Sequence, residues 1–144
     1  MKMNFYVVAK LLSATNGLLF SGYVAFALSI MAILLKGWQS VDFLIFIAIT
    51  LLLIIVHHYL SLKIKFDAQL IEMIAQESAK QPLEELTQQF DQILFNLKLM
   101  PESKMGRNWS LRFTGCFRLF KLQIALLFIQ YFVLISLIYK LLAA

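Results

Sequence analysis

The sequence predicts an all-α integral membrane protein with three transmembrane helices and a cytoplasmic helical hairpin. The prediction depends on three apolar runs that contain no Asp, Glu, Lys or Arg, at 11–35, 43–62 and 122–139. Each run is close to the ~20 residues that a helix needs to cross ~30 Å of hydrocarbon. Lipid offers no partners for peptide N–H and C=O groups, so uninterrupted runs of this kind form helices. We therefore predict spans at about 11–35, 43–62 and 116–140.

Composition narrows the classes of function. Hydrophobic residues make up 61% of the chain, above the ~45–50% of soluble proteins. A single cysteine, Cys116, excludes an internal disulfide and a multi-cysteine metal cluster. The net charge of +5 comes from basic residues beside the apolar runs, where such residues set membrane topology. We expect no nucleic-acid partner, no cofactor and no metal.

The first apolar run has some features of a secretory signal. Lys2 and Lys10 precede it, and Ala25-Phe26-Ala27 resembles a cleavage site. The run continues for eight residues past Ala27, which is longer than a signal core, so we predict an uncleaved transmembrane helix.

Small side chains recur at every fourth position of this first span. Such spacing lets helix backbones approach closely. Either the second span or a helix of another subunit can fill this predicted helix-packing interface. Its members are Ser13, Gly17, Ser21, Ala25 and Ser29.

Basic residues also predict the orientation, because they concentrate on the cytoplasmic side. They occur in the N-terminal segment before the first span and at both ends of the long segment between the second and third spans. The link at 36–42 carries only one Lys and one Asp. We expect a cytoplasmic N-terminus, a C-terminus on the opposite side, Trp38 at the outer turn and a bacterial inner membrane as the location. Five basic residues are expected to bind anionic lipid headgroups, at ~1 kcal/mol each: Lys63, Lys65, Arg112, Arg118 and Lys121.

The segment between the second and third spans predicts two amphipathic helices. No Gly or Pro interrupts 43–81, so the second span is expected to continue as a helix over about 63–80. Pro82 suits the first turn of a second helix, about 82–100, which Pro101 ends. One apolar face of this helix is the predicted partner-docking face, formed by Leu83, Leu86, Phe90, Ile93, Leu94 and Leu97.

The two amphipathic helices carry more apolar surface than a two-helix hairpin buries, which predicts a protein partner. The additional apolar residues are Phe66, Met73, Phe95, Leu99 and Met100. The predicted division of the chain is a transmembrane hairpin at 1–62, a cytoplasmic hairpin with a basic linker at 63–115, and a C-terminal span at 116–144.

Candidate chemistry is sparse. His57 and His58 are adjacent, so their side chains point about 100° apart on a helix and do not chelate one ion together. We interpret them as an interfacial polar cap, and Asn16, Gln123 and Gln130 as donors and acceptors of interhelical hydrogen bonds. The sequence has no HExxH motif, no Gly-rich phosphate loop and no nucleophile elbow, so we do not expect an enzyme.

The leading hypothesis is a non-catalytic integral membrane subunit or scaffold. It would dock a larger complex through its cytoplasmic helices and the small-residue transmembrane face. One alternative is a homo-oligomeric, holin-like pore assembled through the small residues of 13–29. Another is a small membrane enzyme or a haem-binding subunit that uses His57 or His58. The expected partners are membrane lipids and either a second protein or further copies of the chain.

Overall fold

The computed structural model describes residues 2–36 and 41–143 and shows an all-helical architecture, without a β-strand in those ranges. The predicted turn residue Trp38 lies outside the described residues. A 3-10 turn at Glu102–Lys104 precedes the last helix. The helices are α1 (Lys2–Ser13), α2 (Thr15–Lys36), α3 (Val41–Glu77), α4 (Leu83–Asn96) and α5 (Trp109–Ala143).

Among the described residues, three helical segments are long and apolar enough to cross a membrane, in agreement with the number predicted. They are Asn4–Leu35, Val41–Glu77 and Trp109–Ala143, with mean hydropathy between 2.1 and 2.5. Their 32, 37 and 35 residues correspond to about 48–56 Å at ~1.5 Å per residue, more than the ~30 Å hydrocarbon layer. Each segment is therefore longer than a bilayer crossing requires.

The first span differs from its predicted bounds. Helical structure begins at Lys2 and is interrupted at Ala14. The Ala14 carbonyl accepts both the Gly17 amide at 3.1 Å and the Leu18 amide at 3.2 Å, while the Ser13 hydroxyl donates to the Lys10 carbonyl at 2.6 Å. A serine hydroxyl that bonds the preceding turn competes with the backbone ladder and bends helices. The polar residues of 13–16 thus separate α1 from α2.

The second span continues without a break into the first amphipathic segment, since α3 runs from Val41 to Glu77. The helix after it ends earlier than predicted. Pro82 precedes α4, but α4 ends at Asn96 and not at Pro101. Lys98 takes a left-handed conformation with φ 59°, and the Leu99 amide donates to the Leu94 carbonyl at 2.9 Å. A left-handed residue just past the last turn is a common way to end a helix.

The chain divides into two compact units. The first, here the N-terminal unit, contains Met1–Ser13 and Lys65–Arg118; the second, here the three-helix unit, contains Ala14–Ile64 and Leu119–Ala144. The sequence predicts three consecutive segments instead, divided after 62 and 115. The difference is that α1 joins the segment predicted as a hairpin. Both α3 and α5 contribute to both units.

The N-terminal unit has its own apolar core. The Phe5 ring meets the Trp109 ring at 4.8 Å between centroids and the Phe113 ring at 5.1 Å, both edge-on. The two predicted hairpin helices are thus accompanied by α1 and by the beginning of α5, which cover apolar surface that a hairpin alone would expose. Buried apolar side chains come from every helix of the unit: Phe5, Val8, Ala9, Leu12, Ala68, Ile71, Ile74, Ala75, Leu86, Met100 and Trp109.

The three-helix unit buries an apolar cluster of Ile33, Phe43 and Leu137. Near this cluster, the ammonium group of Lys140 lies 2.6 Å from the Asp42 carboxylate in an exposed ion pair. Many of the outward side chains of the unit are large and apolar, as in membrane-spanning helices. The exposed set includes Phe20, Met31, Leu35, Leu52, Ile55, Phe128, Phe132 and Ile135.

Candidate functional site

The three-helix unit contains a buried polar core, defined here as Thr15, His57, Ser61, Gln123 and Gln130. All five side chains are buried. Seven residues are nearly two helical turns, so Gln123 and Gln130 share one face of α5. His57 and Ser61 are one turn apart on α3 and also share a face. Each of the three helices thus turns polar groups inward.

The first layer of this core joins all three helices. The Thr15 hydroxyl donates to Gln123 Oε1 at 2.6 Å, and Ser61 Oγ lies 3.3 Å from the same hydroxyl. Gln123 Nε2 is buried and has no hydrogen-bond partner among the described residues. The layer therefore fixes the orientation of the Gln123 amide and leaves its NH₂ group without a partner among the described residues.

The second layer is built around His57. Its Nδ1 lies 2.7 Å from Gln130 Oε1; since an amide oxygen only accepts, Nδ1 carries the proton and donates. His57 Nε2 is buried and has no partner among the described residues. His57 is thus a core residue and not the interfacial cap that its position predicts. His58 is exposed, and its Nδ1 lies 3.0 Å from the Tyr23 hydroxyl.

Gly22 makes room for the imidazole. A Cβ added at this position would lie 2.7 Å from His57 Nδ1, 2.8 Å from His57 Cε1 and 2.9 Å from Gln130 Oε1. These distances are shorter than van der Waals contact, so a side chain at Gly22 and the observed His57–Gln130 pair are incompatible. Gly22 is not among the residues that the sequence pattern predicts to be functional. The signal was the spacing of Thr15, Gly22 and Ser29, which repeats every seven residues as the glutamines of α5 do.

A small cavity of about 10 Å³ adjoins Gln130, close to the size of a single water site. Ser29 donates to the Ala25 carbonyl at 2.8 Å, and Thr50 donates to the Ile47 carbonyl at 2.9 Å. The Ser29 and Thr50 hydroxyls thus both donate to carbonyl groups of their own helices. The cavity is lined by Ala25, Phe26, Ser29, Thr50, Leu53 and Gln130.

The predicted small-residue interface does not form one face of the chain. Ser13 and Gly17 are exposed, and nothing lies within 4 Å of a Cβ built on Gly17. Ser21 bonds the Tyr131 hydroxyl at 2.9 Å, and Ala25 and Ser29 are buried. Four residues advance a helix by ~400°, so each step moves the position by about 40°. Over four steps the row winds around the helix, which separates its two ends.

The predicted docking face divides in a similar way. Leu86 is buried, Leu83, Phe90 and Leu94 are half-buried, and Ile93 and Leu97 are 57% and 63% exposed. The Phe90 ring lies 6.1 Å from that of Trp109. The first half of the stripe therefore belongs to the core of the N-terminal unit, and its C-terminal end remains at the surface.

This surface continues into the turn after α4. Leu99 is 60% exposed, and Phe95 is also exposed. An open groove of about 570 Å³ lies beside them, and its other lining residues are Asn96, Lys98, Met100 and Pro101. We refer to the exposed apolar side chains at the end of α4 and in the following turn, Ile93, Phe95, Leu97 and Leu99, as the α4 surface.

A buried ion pair holds α4 to α5 in the N-terminal unit. Two guanidinium nitrogens of Arg112 donate to the Asp91 carboxylate oxygens at 2.6 and 2.7 Å, and the Gly106 amide donates to Asp91 Oδ2 at 3.0 Å. The guanidinium also lies 5.0 Å from the centre of the Trp109 ring, and Trp109 Nε1 donates to the Thr87 hydroxyl at 2.9 Å. The sequence pattern does not predict this pair, because its partners are 21 residues apart.

Arg112 of this ion pair is also one of the five predicted lipid-headgroup residues. The charge of Arg112 is matched inside the protein, and its side chain is buried with that of Asp91. The other four members of the predicted set are exposed: Lys63, Lys65, Arg118 and Lys121.

Acid should weaken the N-terminal unit through Asp91. Burial acts to raise the pKa of Asp91, but the hydrogen bonds from Arg112 and Gly106 and the charges of Arg112 and Arg107 outweigh it and hold the pKa below its usual range. A depressed folded pKa gives stability that is present above the unfolded pKa of ~4 and lost as the pH falls through the folded pKa. We expect the melting temperature in detergent to fall with acidification below about pH 4, as followed by Trp109 fluorescence in a Trp38→Phe background.

The matched variants are Asp91→Asn and Glu84→Gln, the latter at an exposed carboxylate of the same helix. Asp91→Asn should lower the melting temperature at neutral pH and flatten its fall in acid, whereas Glu84→Gln should preserve the profile. Parallel acid profiles for wild type and Asp91→Asn would show that another carboxylate dominates.

Within 2–36 and 41–143, no group of three or more His, Cys, Asp or Glu side chains is placed to hold a metal ion. Comparisons with protein-family models, with curated proteins and with solved structures find no match to the chain.

Proposed function

We propose that the chain is a non-catalytic integral membrane subunit that docks a partner protein through the α4 surface. The observation that carries the proposal is that Ile93, Leu97 and Leu99, within seven residues of each other, are each more than half exposed. Other apolar side chains of the same segment, such as Leu86 and Met100, are buried. A group of large exposed apolar side chains in one short segment outside the predicted spans is the kind of surface that a protein partner covers.

The proposed orientation places the N-terminus and the α4 surface in the cytoplasm and the C-terminus on the other side. The exposed basic residues near the ends of the second and third spans support it, because Lys63, Lys65, Arg118 and Lys121 gather where cytoplasmic charges are expected. The proposed location is a bacterial inner membrane. The partner would therefore be a cytoplasmic protein or the cytoplasmic part of a membrane complex.

The alternative is a homo-oligomeric pore. The open surface at Gly17, next to exposed Asn16 and Ser13, favours contact between copies. A pore also needs a polar wall, but the polar side chains His57, Gln123 and Gln130 face the interior of a single chain. This burial supports the docking subunit over the pore.

Polar substitutions on the α4 surface test the proposal. Burying one Leu or Ile side chain is worth ~1.5–3 kcal/mol, so Ile93→Asn with Leu97→Asn should reduce the recovery of a co-purifying partner at least ~10-fold, since ~1.4 kcal/mol is a factor of ten. Gln88→Asn with Gln92→Asn is the matched control at exposed polar positions of the same helix. Trp109 fluorescence should be unchanged in both, because no buried side chain is altered.

Partner recovery equal to wild type in the Ile93/Leu97 variant would remove the α4 surface as the docking site. A purified homo-oligomer that conducts ions in planar bilayers, and loses conduction on Gly17→Leu, would establish the pore instead. A photo-crosslinking residue at Leu97 that captures the same defined polypeptide, and one at Gln88 that does not, would support docking directly.

A further inference from the structure

Helix α1 is additional to the length that the first membrane crossing needs. The 22 residues of α2 correspond to about 33 Å at ~1.5 Å per residue, which covers a ~30 Å hydrocarbon layer. α1 contributes 12 further residues to the same apolar segment, Asn4–Leu35. The first crossing is therefore complete without α1.

The exposed surface of α1 has an apolar side and a polar side. Successive residues of an α-helix are ~100° apart, so residues four positions apart lie on nearly the same side. Val7 and Leu11 are 59% and 47% exposed and form an apolar strip. Tyr6, Lys10 and Ser13 are exposed on the polar side. The remaining side packs in the N-terminal unit and consists of Phe5, Val8, Ala9 and Leu12.

An interfacial position at a bilayer provides the two environments that these exposed sides need. The apolar strip of such a helix enters the boundary between headgroups and acyl chains, while its polar side chains stay among the headgroups. Tyrosine is enriched at this depth, and a lysine beside apolar surface extends its ammonium group toward the headgroups. Asn4, one turn before Val7 on the same side, is exposed and limits the strip to the later turns of α1.

Charge and chain continuity identify lipid as the occupant of the strip. α1 contains Lys2 and Lys10 and no acidic residue, so anionic headgroups attract it. Only Ala14 separates α1 from α2, the helix whose own length covers the hydrocarbon layer. The bilayer is therefore within a few residues of the strip in every copy of the protein.

We propose that α1 is an interfacial helix that binds the surface of an anionic bilayer. Val7 and Leu11 contact the outer part of the acyl chains, and the ammonium group of Lys10 binds a lipid phosphate. The lipid thereby covers apolar surface that the N-terminal unit leaves exposed, and α1 attaches this unit to the membrane surface. This contact is additional to the five predicted headgroup residues, none of which lies on α1.

Spin labelling of the full chain in nanodiscs of phosphatidylethanolamine and phosphatidylglycerol tests the position of α1. The chain has one cysteine, Cys116, so a Cys116→Ala background accepts single labels at Val7, Leu11, Lys10 and Ser13. We expect the ratio of oxygen access to access by a water-soluble nickel complex to be several-fold higher at the two positions of the apolar strip than at the two positions of the polar side. All four side chains are exposed, so the labels should leave the melting temperature unchanged.

Three patterns of access would overturn the proposal. High oxygen access at all four positions would place α1 inside the hydrocarbon layer. High nickel access at all four positions would place it in water. Low access of both reagents at Val7 and Leu11 would show that a protein or a second copy of the chain covers the strip.

A charge variant tests the contact with lipid phosphate. With the label at Val7, the oxygen-to-nickel ratio should be higher in nanodiscs that contain phosphatidylglycerol than in nanodiscs of phosphatidylcholine alone. Lys10→Gln should reduce this difference by about half, because Lys2 keeps the other charge of the helix. Lys80→Gln, at an exposed lysine outside α1, is the matched control and should preserve the difference. Equal differences in the two variants would overturn the Lys10 contact, and equal ratios in the two lipid mixtures would overturn the preference for anionic lipid.

Discussion

Replacing Gly22 with alanine is expected to destabilise the three-helix unit by about 2–6 kcal/mol. The added Cβ would lie 2.7–2.9 Å from the His57 ring and Gln130 Oε1. The His57 and Gln130 side chains must therefore move away from the Cβ and lose their hydrogen bond to each other. Overpacking a tight interior costs ~1–3 kcal/mol, and leaving a buried donor and acceptor unpaired costs a further ~1–3 kcal/mol. The measurement is thermal or SDS-induced unfolding of the full chain in mild detergent.

Gly17→Ala is the matched control, because it makes the same chemical change on the same helix. Nothing lies within 4 Å of a Cβ at Gly17, and alanine is a better helix former than glycine by ~0.5–1 kcal/mol. Gly17→Ala should thus equal or exceed the wild-type stability. Adding His57→Ser to Gly22→Ala removes the ring that clashes and should restore part of the loss. Equal melting temperatures for the two alanine variants would show that His57 does not depend on Gly22.

The apolar spans could be predicted from the sequence because a membrane crossing depends on a local property. An uncharged run of sufficient length is enough, and the continuity of α3 follows from the absence of Gly and Pro. The interhelical hydrogen bonds of Gln123 and Gln130 were also predicted and are present. Their partners were not, since pairing across helices depends on which faces meet, and one sequence does not specify that.

The apolar runs do not predict α1, which forms a separate helix at Lys2–Ser13. Phe5, Val8, Ala9 and Leu12 are buried in the N-terminal unit, and their spacing is the i, i+3, i+4, i+7 pattern of an amphipathic helix. A long apolar run follows that pattern directly, so hydropathy alone does not distinguish the amphipathic helix from the membrane span. The polar residues of 13–16 are the boundary signal between α1 and α2, but the sequence pattern also places Ser13 in the row of small residues and Asn16 among the interhelical hydrogen-bonding groups.

Breaking the ion pair between Asp91 and Arg112 should have the largest effect in the N-terminal unit. Removing one partner of a buried pair leaves an uncompensated charge and costs ~3–5 kcal/mol. We expect this loss for Arg112→Met, where the Asp91 carboxylate keeps only the Gly106 amide. We expect a similar loss for Asp91→Leu, where the guanidinium keeps its contact with the Trp109 ring. The double variant should lose much less than the sum, because an apolar pair of similar volume is often neutral.

Asp42 and Lys140 provide the matched surface pair. Their ion pair is as short, at 2.6 Å, but its side chains are 59% and 39% exposed. Exposed pairs contribute ~0–1 kcal/mol, so Lys140→Met should change the unfolding free energy by no more than that. Trp109 fluorescence in a Trp38→Phe background reports the N-terminal unit. Equal losses for Arg112→Met and Lys140→Met would show that burial does not determine the energy of the Asp91 pair.

The same cycle separates folding of the N-terminal unit from docking. Asp91 lies on α4 just before Ile93, so the pair holds the helix that presents the α4 surface. Arg112→Met should therefore lower partner recovery although Arg112 itself is buried, and the double variant should restore it together with the melting temperature. If recovery stayed low while stability returned, Arg112 or Asp91 would contact the partner directly. If recovery stayed high in Arg112→Met despite a large stability loss, docking would not require the α4 surface to be ordered by this pair.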